Sequence, residues 1–210
     1  MKYFDGTLYL VTDRSLAKDI PLETIVEMAI RGGVTLVQLR EKNIDAKDFY
    51  DHAIRLKEIT DKYHIPLIIN DRIDIMMAVG AEGVHVGQED IPAAAVRKII
   101  GPDKVMGVSA HNLKEALQAE KDGADYIGVG SIYPTDTKKN TSPVSLQELQ
   151  KICQNVSIPV IAIGGINNKN LTTLLGTNIS GIAVVSAIIK TDSPETSARN
   201  LLKVMKSFKK

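Results

Sequence analysis

The chain has no tryptophan, a single cysteine and only 4% aromatic residues. The lone thiol, Cys153, excludes an intrachain disulfide and fits a reducing compartment, so a cytoplasmic location is expected. Cys153 falls on the apolar side of a helical stretch over 149–153 and reads as packing rather than as a nucleophile. An excess of one charge is also missing, because 26 Lys and Arg against 25 Asp and Glu leave +1. That balance offers no basic stripe for nucleic acid or a membrane surface. Lys206, Lys209 and Lys210 read as a solvated helix end. No apolar run approaches the roughly 20 residues of a membrane span. No basic segment followed by a long apolar stretch opens the chain, so no signal peptide is expected. The four histidines show no zinc-site spacing. His52 and His64 read as surface residues beside a helix, His85 as a packed strand residue, and His111 as structural before catalytic.

What is present is a repeating pattern. Short apolar runs end in polar or glycine residues at Thr12-Asp13, Gln38-Leu39-Arg40, Asn70-Asp71, Gly87-Gln88, Ser109, Gly130-Ser131, Gly164-Gly165 and Ser186. Amphipathic stretches separate them, including Leu22–Arg31, Ala46 to about Tyr63, Ile73–Val79, Asn112–Asp122 and Asn168–Leu175. Asp45 reads as the N-cap of the second of these, and Gly32-Gly33 as the stop of the first. Continuous apolar strands alternating with helices mean a parallel sheet covered by helices. Eight such units in 210 residues predict a single-domain (β/α)8 TIM barrel over 1–210. An open doubly wound sheet is the alternative, but no Gly-x-Gly-x-x-Gly turn follows the first strand.

A barrel of this kind gathers the C-terminal ends of its strands on one rim. Gly164, Gly165 and Ser186 follow the seventh and eighth strands, where such barrels bind phosphate on backbone N–H groups. A tight turn alone would also use the glycine pair. Gln38, Arg40 and Lys42 alternate along an extended segment and can point into the mouth together, which suits a polyanion such as diphosphate. Arg40 by itself reads better as a salt bridge to Glu41 or to a carboxylate on a neighbouring strand. Asp71 ends the third strand and Asp90 lies just after the adjacent fourth, so the two carboxylates can reach one hard cation such as Mg2+, although either alone would read as a helix cap. Asn70 offers an amide beside them. The long loop Ser131–Pro143 carries Thr135, Thr137 and Lys138, the composition of a lid over an anion or of a plain surface loop.

These residues, taken as a set, resemble one family. The stretches Tyr9–Asp13, Gln38–Lys42, Asn70–Arg72, Gly83–Asp90, Gly107–His111, Tyr133–Lys138, Ala162–Ile166 and Ala183–Ile188 are similar to thiamine-phosphate synthases from the first strand to the eighth. The resemblance implies a (β/α)8 transferase that joins hydroxymethylpyrimidine diphosphate to thiazole phosphate and releases diphosphate. It implies that Gln38, Leu39, Arg40, Glu41, Lys42, Asn70, Ser109 and Lys138 hold the pyrimidine diphosphate. Thr135, Asp136, Thr137, Gly165, Val185 and Ser186 would hold the thiazole phosphate. Asp71 and Asp90 would bind one Mg2+ per subunit, with Arg40, Lys42, Lys138 and Ser109 acting in the reaction. Ser131 departs from the family, whose members often carry proline there, and Lys139–Pro143 looks variable. The expected partners are phosphorylated small molecules, with no nucleic acid and no membrane; a homo-oligomer stays open. Two other readings compete. A thiazole tautomerase of the same barrel family would want a base such as His111, and a non-enzymatic barrel would bind a phosphorylated metabolite without turnover.

Overall fold

The computed structural model describes residues 4–18, 20–135 and 143–209. Eight parallel strands form one closed ring in chain order: β1 (Leu8–Val11), β2 (Leu36–Leu39), β3 (Leu67–Asn70), β4 (Gly83–Val86), β5 (Val105–Ala110), β6 (Tyr126–Val129), β7 (Val160–Ile163) and β8 (Gly181–Val184). The ring closes where Tyr9 of β1 pairs with Ala183 of β8. The expected (β/α)8 barrel is therefore the fold.

The strands read as unbroken apolar runs because both faces are covered. One parity points inward: Tyr9, Val11, Leu36, Ile68, Val105, Tyr126, Ile161 and Ala183 fill the barrel as one buried cluster. The other parity, including Leu8, Leu10, Val37, Leu39, Leu67 and Ile69, packs outward under the helices. Each fully buried aliphatic side chain of this kind contributes roughly 1.5–3 kcal/mol relative to exposure.

The helices are α1 (Leu22–Arg31), α2 (Ala46–Lys62), α3 (Ile73–Val79), α4 (Ala93–Ile100), α5 (Leu113–Lys121), α6 (Leu146–Asn155), the single turn α7 (Ser186–Ile189) and α8 (Pro194–Lys206). In α1 the buried residues Leu22, Ile25, Val26, Ala29 and Ile30 follow helical spacing, and the helix stops at Gly32 and Gly33, the latter with φ 104°. Cys153 of α6 is half-buried against the outer core, and burial pushes its thiol up to about 11. Among the described residues no helix is long and apolar enough to cross a membrane.

Three expectations need correction. Asn168–Leu175 is not an α-helix; only a 3-10 turn, Leu171–Leu174, forms there. The side chains of Asn167 and Asn170 bond nearby backbone N–H groups at Lys169 and Asn167, competing with helical hydrogen bonds. Asp45 does stand at the N-cap of α2, but its carboxylate makes no capping bond. Ser109 lies inside β5 rather than after it, since its register pairs it with Gly128 of β6.

Candidate active site

A cleft of about 1040 Å³, counted to its open mouth, lies at the C-terminal ends of the strands. Its lining includes Gln38, Arg40, Asn70, Ser109, Thr135, Gly165, Val185 and Ser186, so eight residues singled out from sequence meet in one place.

The β2 end supplies the cation. Strand alternation turns Gln38 and Arg40 into the cleft and leaves Leu39, fully buried, among the outer core. Glu41 does not pair with Arg40. Its carboxylate accepts from Arg14 Nε at 3.0 Å, and neither Leu39 nor Glu41 is among the residues that line the cleft. Among the described residues the Arg40 guanidinium has no ion-pair partner, which removes the salt-bridge reading. Lys42 Nζ lies 2.6 Å from Asp71 Oδ2.

The β3 and β4 ends bring the two carboxylates together. Asp71 sits at φ 60°, a left-handed conformation that costs a non-glycine residue free energy and is typical of functional positions. Asp90 Oδ2 accepts from Gly87 N–H at 2.7 Å. Burial raises the Asp90 carboxyl, the Gly87 N–H opposes, and the adjoining Asp71 carboxyl adds to the rise; the net shift is upward. Two carboxylates that crowd each other in this way gain from a shared cation. Among the described residues no cluster of three or more His, Cys, Asp or Glu side chains is set for a metal. Mg2+ needs only one or two carboxylates when substrate phosphates and water complete its shell.

Across the ring, the β7 and β8 ends bring a glycine turn and the start of α7 to the mouth. Gly164 and Gly165 have φ 102° and 64°. A side chain at Gly165 would also lie 2.6 Å from the Pro134 carbonyl oxygen, and one at Gly164 2.3 Å from Ser131 Oγ. Both space and dihedral therefore require glycine. The Gly165 carbonyl is fixed by the amides of Asn167 (3.0 Å) and Asn170 (2.9 Å), two supports that the sequence reading missed. Val185 and Ser186 open α7 beside this turn. Thr135 lines the same side, whereas Asp136, Thr137 and Lys138 lie outside the described residues.

The floor of the cleft was also missed. Gln38 Nε2 donates to Tyr9 Oη (2.6 Å), Tyr9 Oη lies 2.8 Å from Tyr126 Oη, Tyr126 Oη 3.0 Å from His85 Nδ1, and His85 Nε2 2.9 Å from Ser109 Oγ. His85 is packed, as expected, but it also touches the cleft. His111 lies at the edge, its Nδ1 2.9 Å from Glu115 Oε2.

A barrel mouth with polar and basic side chains at the ends of β2–β4 and a glycine turn at the ends of β7–β8 is the arrangement of barrel enzymes that handle phosphorylated small molecules. The particular family follows from sequence. Residues 8–188 match the family described as thiamine monophosphate synthase. The thiamine-phosphate synthase of Ruminiclostridium cellulolyticum is 59% identical over 200 residues, covering 95% of each chain. That of Methanobrevibacter smithii is 51% identical over 207 residues and covers 99% of each. A solved thiamine phosphate pyrophosphorylase from Pyrococcus furiosus superposes with a TM-score of 0.89 at 38% identity, covering 97% of both chains. The chain belongs to the thiamine monophosphate synthase family.

Proposed function

We propose that the whole chain, as one domain, joins hydroxymethylpyrimidine diphosphate to thiazole phosphate. The products are thiamine phosphate and diphosphate. What supports this reading is that Gln38, Arg40 and Asn70 at the β2 and β3 ends, and Gly165, Val185 and Ser186 at the β7 and β8 ends, give one cleft two candidate anion positions, in a chain 59% identical to a thiamine-phosphate synthase. An enzyme that merely isomerised one phosphorylated thiazole would need only one of them.

The chemistry moves one bond. The C–O bond from the pyrimidine methylene to the diphosphate breaks, and its electron pair leaves with the diphosphate. The thiazole nitrogen then supplies the pair for the new C–N bond. The aminopyrimidine delocalises the positive charge that appears at the methylene. Arg40, Lys42 and Lys138 hold the leaving group and meet its developing negative charge. Asn70, Gln38 and Ser109 orient the pyrimidine. Gly165, Val185-Ser186 and the segment Thr135–Thr137 hold the thiazole phosphate. Alignment of the two substrates supplies much of the acceleration. No protein nucleophile or strong base is needed.

Asp71 and Asp90 fit one Mg2+ per subunit: both are hard oxygen donors, and the Asp71 carboxylate adjoins that of Asp90. When bound, the ion supplies positive charge at the diphosphate oxygens. We place the reaction in the cytoplasm, where a lone unpaired cysteine is ordinary. The purified protein, given both substrates and Mg2+, is expected to form thiamine phosphate and diphosphate in equal amounts. Isomerised thiazole with no pyrimidine consumed would overturn the reading in favour of a tautomerase.

A further inference from the structure

Beneath the cleft a single file of hydrogen bonds crosses the barrel interior from β2 through β1, β6 and β4 to β5. It runs Gln38, Tyr9, Tyr126, His85, Ser109, with every link between 2.6 and 3.0 Å. Both phenols are fully buried, and they meet edge to face with ring centroids 5.9 Å apart. The barrel is shaped around this file. A side chain at Gly107 would lie 2.1 Å from Tyr126 Cζ and 2.5 Å from His85 Nδ1, and one at Gly128 would lie 3.2 Å from His85 Cε1. Two inward strand positions therefore carry no side chain where Tyr126 and His85 pass.

Proton counting gives the file a direction. A primary amide nitrogen only donates, so Tyr9 Oη accepts from Gln38. Each phenol has one proton to give. The order that uses every proton along the file has Tyr9 donate to Tyr126 and Tyr126 donate to His85 Nδ1. Burial pushes the Tyr9 phenol well above its ordinary range, and burial together with the Tyr9 hydroxyl does the same for Tyr126, so both keep their protons. An imidazole that accepts at Nδ1 carries its proton on Nε2 when neutral. In that order Nε2 points its proton at Ser109 Oγ, 2.9 Å away, and the serine hydrogen is left for the cleft.

We propose that Tyr9, Tyr126 and His85 are positioning residues that fix Ser109 as a hydrogen-bond donor toward the substrate. The site then selects a ring that presents an acceptor nitrogen at Ser109 and rejects one that presents only a donor. The ligand half of this inference rests on the synthase reading; the tautomer half does not.

The test uses the full-length protein labelled with 15N-histidine, read without substrate at neutral pH. A His85→Gln variant assigns the His85 signals among the four histidines. The expected spectrum shows a pyrrole-type Nε2 and a pyridine-type Nδ1 for His85. In Tyr126→Phe, Nδ1 loses its donor and the two tautomers mix. In Tyr9→Phe, Tyr126 keeps its proton and the mixing is smaller. With both substrates, Tyr126→Phe should lower kcat/KM roughly 5–10-fold, the size of one lost neutral hydrogen bond. A protonated Nδ1 in the wild-type protein would overturn the proposal without any variant. So would a Tyr126→Phe spectrum identical to wild type. If the wild-type tautomer is as expected but no condensation occurs, the synthase reading fails while the ordering of the file stands.

Discussion

Arg40 and Glu41 are sequence neighbours that part company in space: the guanidinium lines the cleft, while the carboxylate turns back to Arg14. Removal of Arg40 therefore takes charge from the proposed leaving-group position without breaking an ion pair among the described residues. Arg40→Ala should reduce turnover on the order of 10²-fold, with Arg40→Lys in between because a point charge replaces a planar fork. Steady-state kinetics with both substrates checks this. Asp71→Ala and Asp90→Ala should each sharply lower turnover at limiting Mg2+; near-wild-type rates in both would reject the metal assignment. At this scale much of the site is legible in the sequence. A strand sends alternate residues to one face, so Gln38 and Arg40 fall out of parity alone. Tyr9, Tyr126 and His85 do not, because their contacts join strands far apart in the chain. Glycines inside strands, Gly107 and Gly128, were the available signal of a close approach.

At the scale of elements, local chemistry sets ends and kinks. Asn112 caps α5 by accepting from Glu115 N–H, and Glu115 reaches back to accept from the His111 N–H at 2.8 Å. Partial burial raises the Glu115 carboxyl, but the His111 backbone N–H, the His111 ring and the Asn112 amide outweigh it, so the net shift is downward. A depressed folded value means stability that is complete above the unfolded carboxylate value of about 4.3 and lost as pH falls through the lower folded value. Denaturation of wild type and Glu115→Gln should thus differ more at about pH 7 than at about pH 3. Arg97 clamps the opposite end of the barrel. Its guanidinium donates to the carbonyls of Gly101, Lys104 and Gly123 and to Asp125, which also accepts from Met106 N–H. Arg97→Ala leaves these acceptors short of a donor and should cost about 2 kcal/mol, or roughly 4–8 °C in Tm. Strand and helix positions are readable from periodicity to within a residue or two. The 168–175 segment is not, because its Asn side chains bond backbone that a helix would have used.

For the molecule as a whole, everything depends on the ring closing. The β1–β8 seam brings Gly181 against the Gly6 carbonyl, where a side chain would lie 1.8 Å from the oxygen. Gly181→Ala should therefore weaken closure by about 3 kcal/mol, seen as a lower thermal midpoint. The eightfold repeat that builds this ring is visible in sequence because every unit repeats the same apolar run and polar end. What the repeat then achieves is opposition: in a ring of eight strands β3 stands four places from β7, so the carboxylate pair and the glycine turn face each other.

The most direct measurement is a crystal structure of the protein soaked with Mg2+, diphosphate and thiazole phosphate. The diphosphate is predicted on Arg40 and Lys42, with the ion on Asp71 and Asp90 and the thiazole phosphate against Gly165 and Ser186. Both anions on one side of the mouth, or an ion held away from the two aspartates, would contradict the account.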